Sequence, residues 1–279
     1  MEAQVRILSP QMDEDDLREW LYQEVNGLYK TLEAGEITKA AFVLRQWVSE
    51  YSSYPQRELL LLHWEHTLSE MLYKLHEHEG GVWCGGAAWL FSSLLQLVHV
   101  PAVVYMYGEG DLSHETTVFG VKEGKNFRFF LLDAYLNFHY THPDGKLMNL
   151  EELFYRVRQK QYDQIVRVDV PIRRKLVTST RDAQYYSWLF PDGAPEEPSL
   201  VVDDHKVYRG AVHSVSELLL PSSPFRKLAD QERGAQPLEE FMLDLMLVRP
   251  TFGRMYDTNY SEIALYQGVV EALTRKEAT

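Results

Sequence analysis

Between Gly85 and Val98 the chain offers only three polar side chains, Ser92, Ser93 and Gln96, and on a helical wheel they fall on one narrow strip. A helix that is apolar nearly all round must be covered on every side, so any fold open to this chain has to wrap around this segment. Small residues at Gly85, Gly86, Ala87 and Ala88 let its first turn approach other backbone closely, the two glycines at some cost in helix propensity. Pro101, following His99-Val100, ends the helix, and Ala102 to Tyr107 reads as a buried strand.

The residue that opens this helix, Cys84, is the single cysteine of the chain; His114 follows 30 residues later and Asp133 another 19 beyond. A thiol becomes a good nucleophile only as its thiolate, which a neighbouring imidazole and a helix N-terminus both favour. The same N-terminal N–H groups stabilise a developing oxyanion. Glu115 to Val121 and Phe127 to Leu132 are rich in β-branched and aromatic residues, and the polar Glu123-Gly124-Lys125-Asn126 between them reads as a tight turn. Folded about Glu123-Gly124, this hairpin sets His114 directly opposite Asp133, with Cβ atoms roughly 5 Å apart. A turn one residue longer would shift that register.

Taken together, Cys84-Gly85-Gly86-Ala87-Ala88-Trp89-Leu90-Phe91, Leu94-Leu95, Val100-Pro101-Ala102, His114 and Asp133 resemble the transglutaminase-like superfamily, a branch of the papain-like cysteine enzymes. The resemblance covers residues 80 to 140. It implies a helix opened by the nucleophile and packed on a sheet whose neighbouring strands carry the histidine and the aspartate. Cys84 resembles the nucleophile, His114 the general base and acid, and Asp133 the group that orients the imidazole. Three positions depart from the family pattern: Glu115 replaces a small residue, Ala134 a proline and His99 a glycine. These departures point away from protein cross-linking, and Asp133-Ala134-Tyr135-Leu136-Asn137-Phe138 looks more like bacterial members of unassigned function. Trp83, through its indole, and His78 are further candidates for oxyanion stabilisation.

Composition limits the alternatives. One cysteine excludes an intrachain disulfide, Met1 to Arg6 lacks the basic-then-apolar pattern of a signal peptide, and no apolar run reaches bilayer-spanning length, so a soluble cytoplasmic protein is expected. A formal charge of −13 opposes sequence-independent binding to nucleic acid or an anionic membrane. Within this acidic chain, Arg156, Arg158, Lys160, Arg167, Arg173, Arg174, Lys175 and Arg181 form a basic run. It reads either as a solvated face or as a site for a phosphate-bearing substrate or carrier, with Arg173 and Arg174 as its candidate binding residues.

Elsewhere, helical periodicity covers Asp16 to Thr31 and Ile37 to Tyr51, and a third helix is expected from Pro55 to about His78 with Leu61, Trp64, Leu68, Leu72 and Leu75 facing the core. On that helix His66 and His78 are too far apart for one metal, and His63 with His66 lacks a third ligand, so no metal is expected. His139 and His142 are placed at the rim of the cleft. Asn149 to Glu152 resembles a capping box ahead of a helix from Leu153 to Gln161. Gln164 to Val170, Lys175 to Thr180 and Leu200 to Tyr208 read as strands, and helices are expected near Leu238 to Val248 and Ser261 to Arg275. Pro191 to Ser199 and Pro221 to Pro237 read as loops suited to cover a site.

The expectation is therefore an α+β protein with an N-terminal helical region (1–78), a catalytic core (79–145) and a mixed extension (146–279) that forms one unit with the core. Its expected chemistry is cysteine-dependent acyl transfer on an amide or thioester, free or carried by a partner, without a cofactor: no phosphate-binding Gly loop or dinucleotide fingerprint is present. The alternatives are a cysteine peptidase or amidase with water as acceptor, and a non-catalytic scaffold with a degenerate core. Oligomeric state stays open.

Overall fold

The computed structural model describes residues 6–52, 60–77, 79–124, 126–170, 174–175, 201–202, 229–248 and 251–253. The chain opens with helices. α1 (Glu14–Glu24) is capped by Asp13, whose side chain accepts from the Asp16 N–H, and it carries an acidic first turn that complements the helix dipole. The single helix expected over Asp16 to Thr31 is two, because Gly27 takes φ +83° and α2 runs only over Leu28–Glu33. α3 (Ile37–Tyr51) has the expected bounds.

The third expected helix is much shorter. Leu60 forms an extended bridge with Gly81, His63–Glu65 makes a single tight turn, and only Leu68–His76 is helical (α4). Thr67 starts α4 with a complete capping box to Glu70. Leu68, Leu72 and Leu75 are buried as expected, whereas Trp64, ahead of the cap, is 69% exposed. His63 stacks on Trp89 instead of sharing a helix face with His66.

α5 (Cys84–Leu97) lies between α3 and the strands β1 (Ala102–Tyr107) and β2 (His114–Glu123). From Gly86 to Leu97 every residue but Gln96 is buried, as its composition requires. Gln96 donates to the Ala102 carbonyl at 2.6 Å. Gly86 has no room for a side chain: a Cβ there would meet Val82 Cβ at 2.8 Å.

β3 (Asn126–Asp133), β4 (Phe138–Thr141), β5 (Val166–Asp169) and β8 (Thr251–Gly253) complete an antiparallel six-stranded sheet in the order β5-β4-β3-β2-β1-β8. β6 (Arg174–Lys175) and β7 (Val201–Val202) form a separate pair. α6 (Leu150–Arg158) begins with the expected capping box, Asn149 and Glu152. Phe154 of α6 packs near Tyr105 of β1, and α6 meets α7 (Leu238–Leu245). Thr117 of β2, by contrast, donates to the Ala88 carbonyl on α5. The sheet is thus covered by α5 and α3 on one face and by α6 and α7 on the other, an α+β architecture. One cluster of buried side chains runs from Leu8 to Met246, and no helix among the described residues is long and apolar enough to cross a membrane.

Two local findings correct the sequence expectations. Glu123 pairs with Asn126, so the hairpin reverses at Gly124, φ +62°, and its ladder is displaced by two residues from the expected register. An even displacement keeps every side chain on its face, so His114 and Asp133 are diagonal neighbours rather than a directly opposed pair. The segment Pro221 to Pro237, expected as a loop, is helical at residues 229–232; residues 221–228, and all of Pro191 to Ser199, lie outside the described residues, as does the helix expected over Ser261 to Arg275.

His99 shows what α5 needs at its end. The Val100 N–H bonds to Leu95 O and the His99 N–H to Gln96 O, both at 2.8 Å, and exposed His99 takes φ +62°. That is the left-handed closure in which glycine is at home. An L-residue there costs about 1–2 kcal/mol, offset in part by the roughly 0.4–1 kcal/mol that glycine's freer unfolded chain would forfeit. His99→Gly is expected to stabilise the protein by about 0.5–1 kcal/mol, read as a higher urea midpoint at unchanged slope.

Candidate active site

Three chain elements end at one place. Cys84 is the first residue of α5, His114 the first of β2 and Asp133 the last of β3. Asp133 is fully buried and His114 is 2% exposed; His114 Nε2 and Asp133 Oδ2 are 2.6 Å apart. Asp133 Oδ1 accepts the Leu136 N–H, also at 2.6 Å, so both carboxylate oxygens are engaged. With Nε2 committed, Nδ1 is the ring nitrogen left for the Cys84 thiol, which is within hydrogen-bonding reach of the imidazole. Cys84 is only partly buried.

Electrostatics favour a charged imidazole. Burial by itself depresses His114, but the Asp133 carboxylate, through its charge and its hydrogen bond, and the Cys84 sulfur outweigh that and raise the group to about 10. At neutral pH His114 is therefore an imidazolium held between a carboxylate and a sulfur. Trp83 contributes no side-chain cap to α5, so the N–H groups of the first turn, which have no acceptor within the helix, are not taken up by a capping side chain. N–H groups at a helix start are the kind of donor an oxyanion would need.

Two residues enlarge the candidate site beyond these three. Glu115, next to His114, points at the first turn of α5: a Cβ at Gly85 would lie 3.1 Å from its Oε2. Its carboxyl is raised above the usual range by burial, with the His114 charge opposing.

Arg45 of α3 was not anticipated. It is 2% exposed, and its charge acts on Asp133 while burial lowers its guanidinium to about 10. Its Nη1 lies 3.1 Å from His139 Nδ1, and its guanidinium carbon sits 4.9 Å from the Phe42 ring centre. Burial and that guanidinium depress His139 to about 4, which makes it a neutral acceptor at Nδ1. His139 thus supports Arg45, and His142 bonds to Glu152. Ser49, one turn after Arg45, donates to the Ala134 carbonyl at 2.6 Å, fixing the turn beyond Asp133. The available signal was positional: Ala41, Arg45 and Ser49 recur at four-residue spacing on a helix whose buried face is otherwise apolar.

The remaining candidates fare differently. Trp83 adjoins Cys84 and is 38% exposed. His78 and Arg173 lie outside the described residues, and Arg174 is described only as backbone paired with Val202. The basic run is partly dispersed: Arg156 and Arg158 occupy the last turn of α6, and Arg167 lies over the Phe138 ring with its charge on Asp169. No group of three or more His, Cys, Asp or Glu suited to a metal occurs among the described residues. No family model, curated protein or solved structure matches the chain.

Proposed function

We propose that this protein is a cysteine acyltransferase with a transglutaminase-like, papain-related core, acting on an amide or thioester through an acyl-thioenzyme. The observation that carries the reading is the buried His114–Asp133 pair, 2.6 Å apart, with the Cys84 sulfur at the other side of the ring. Cys84 as thiolate attacks the substrate carbonyl, the first-turn N–H groups of α5 receive the oxyanion, and the His114 imidazolium gives its proton to the leaving amine or thiol. A thioester on Cys84 and a neutral imidazole remain. An amine then attacks the thioester, His114 takes a proton from the attacking nitrogen, and the thiolate–imidazolium pair is restored. Water in place of the amine would make the protein an amidase or peptidase. The preference for transfer rests on the resemblance to transglutaminases.

The test presents acyl thioesters to the purified protein and reads intact mass. An adduct at Cys84, absent from Cys84→Ala, is expected, and primary amines should convert it to amides. Free acid alone, released at a rate no amine alters, would make the protein a hydrolase. No Cys84-dependent adduct at all would return it to the scaffold alternative.

A further inference from the structure

Glu115 is a carboxylate whose position neither the fold nor the triad requires. Alternation along β2 puts it on the same face as Thr117, the face that carries α5: Thr117 Oγ1 donates to Ala88 O at 3.0 Å, and the Glu115 carboxylate oxygens lie 3.1 and 3.2 Å from where a Gly85 Cβ would stand. Glycine at position 85 therefore leaves the carboxylate room against the helix turn that begins with the nucleophile. It is half-buried and, among the described residues, has neither a hydrogen bond nor an ion pair; the positive charge that acts on it is that of His114, already committed to Asp133.

Withdrawing a carboxylate from water without a partner is unfavourable, and a negative charge beside the nucleophile also opposes its thiolate form. A cation brought to this point relieves both. The acyl-transfer reading, on which this inference rests, calls for a cation there, since an alkylamine acceptor is protonated at neutral pH and must approach the Cys84 thioester.

We propose that Glu115 is the acceptor subsite, binding the ammonium group of a primary amine beside Cys84. The carboxylate first takes one proton from the ammonium, leaving a neutral amine whose lone pair forms the new C–N bond. His114 takes a second proton from that nitrogen as the C–S bond breaks and the thiolate leaves. The third proton stays on the amide, and Glu115 returns its own to solvent. The carboxyl raised by burial is the better base for the first of these transfers.

The experiment compares rates of Cys84 modification by three methanethiosulfonates that differ in charge: 2-aminoethyl (cationic), methyl (neutral) and 2-sulfonatoethyl (anionic). The unsubstituted protein is expected to favour the cationic over the neutral reagent about 10-fold more than Glu115→Gln does, the factor that about 1.4 kcal/mol gives. Asp144→Asn, which removes the same charge at an exposed position, should keep the preference. A parallel measurement needs no variant: ethylammonium should slow modification by the neutral reagent, and uncharged propionamide should not. Equal charge preference in the unsubstituted protein and Glu115→Gln, or no protection by ethylammonium, would overturn the subsite while leaving acyl transfer standing. A Cys84 inert to all three reagents would overturn acyl transfer itself.

Discussion

Asp133→Asn is expected to keep the fold and lower turnover by about three to four orders of magnitude. The carboxamide has nearly the shape of the carboxylate, and its oxygen can still accept the Leu136 N–H that Asp133 Oδ1 accepts. Its nitrogen, however, donates where Oδ2 accepted. His114 Nε2 must then accept, which puts the ring proton on Nδ1 and points it at Cys84, the wrong tautomer for taking a proton from the thiol or from an attacking amine. Without the carboxylate, burial, which favours the neutral ring, is opposed only by the smaller influence of the Cys84 sulfur. Iodoacetamide labelling of Cys84 at neutral pH, measured beside turnover, should fall as well, because the thiolate loses its counter-ion. Undiminished labelling and turnover in a folded variant would remove Asp133 from the mechanism.

The second large effect is on stability. Unfolded, His114 titrates near 6.5; folded, it holds its proton to about 10. Between those values the folded state binds more protons, so the stability this group contributes is whole below about pH 6.5 and is lost as pH rises through about 10. The full shift would correspond to about 5 kcal/mol at 1.36 kcal/mol per unit. With the sulfur's share of the shift removed by Cys84→Ala, a loss of roughly 2–4 kcal/mol is expected. Urea unfolding at several values between pH 6 and pH 10, in a Cys84→Ala background, should show that decline. His114→Gln in the same background should lack it. Parallel stability curves for the two would mean that the imidazolium is not held by the fold.

The parts of this molecule that were legible in its sequence are those decided locally. α5 was, because a segment without a polar face has only one kind of place to go. The start of α6 was, because Asn149 and Glu152 satisfy each other's backbone over a single turn. The same device at Thr67 and Glu70 was hidden by an apolar stripe that looked continuous back to Leu61. In the hairpin, composition identified the strands and the shared face, but the register depended on where Gly124 adopts its positive φ. The candidate triad survived that error because the displacement was even. Arg45 was illegible for a different reason: its hydrogen-bond partner His139 is 94 residues away in the chain, and only the folded molecule brings its charge to bear on Asp133.

The carboxylate of Asp133 also builds the turn into β4 through the Leu136 N–H, and this makes the three residues of the proposed triad unequal in evolution. Cys84 stands at a helix start, partly open to solvent, where serine or alanine would fit at little cost to folding. Asp133 is embedded in the architecture. A lineage that abandoned the chemistry would be expected to lose the sulfur early and keep the aspartate long afterwards. In descendants of this chain, a retained aspartate would testify to ancestry, and only a retained cysteine would be compatible with the acyl transfer proposed above.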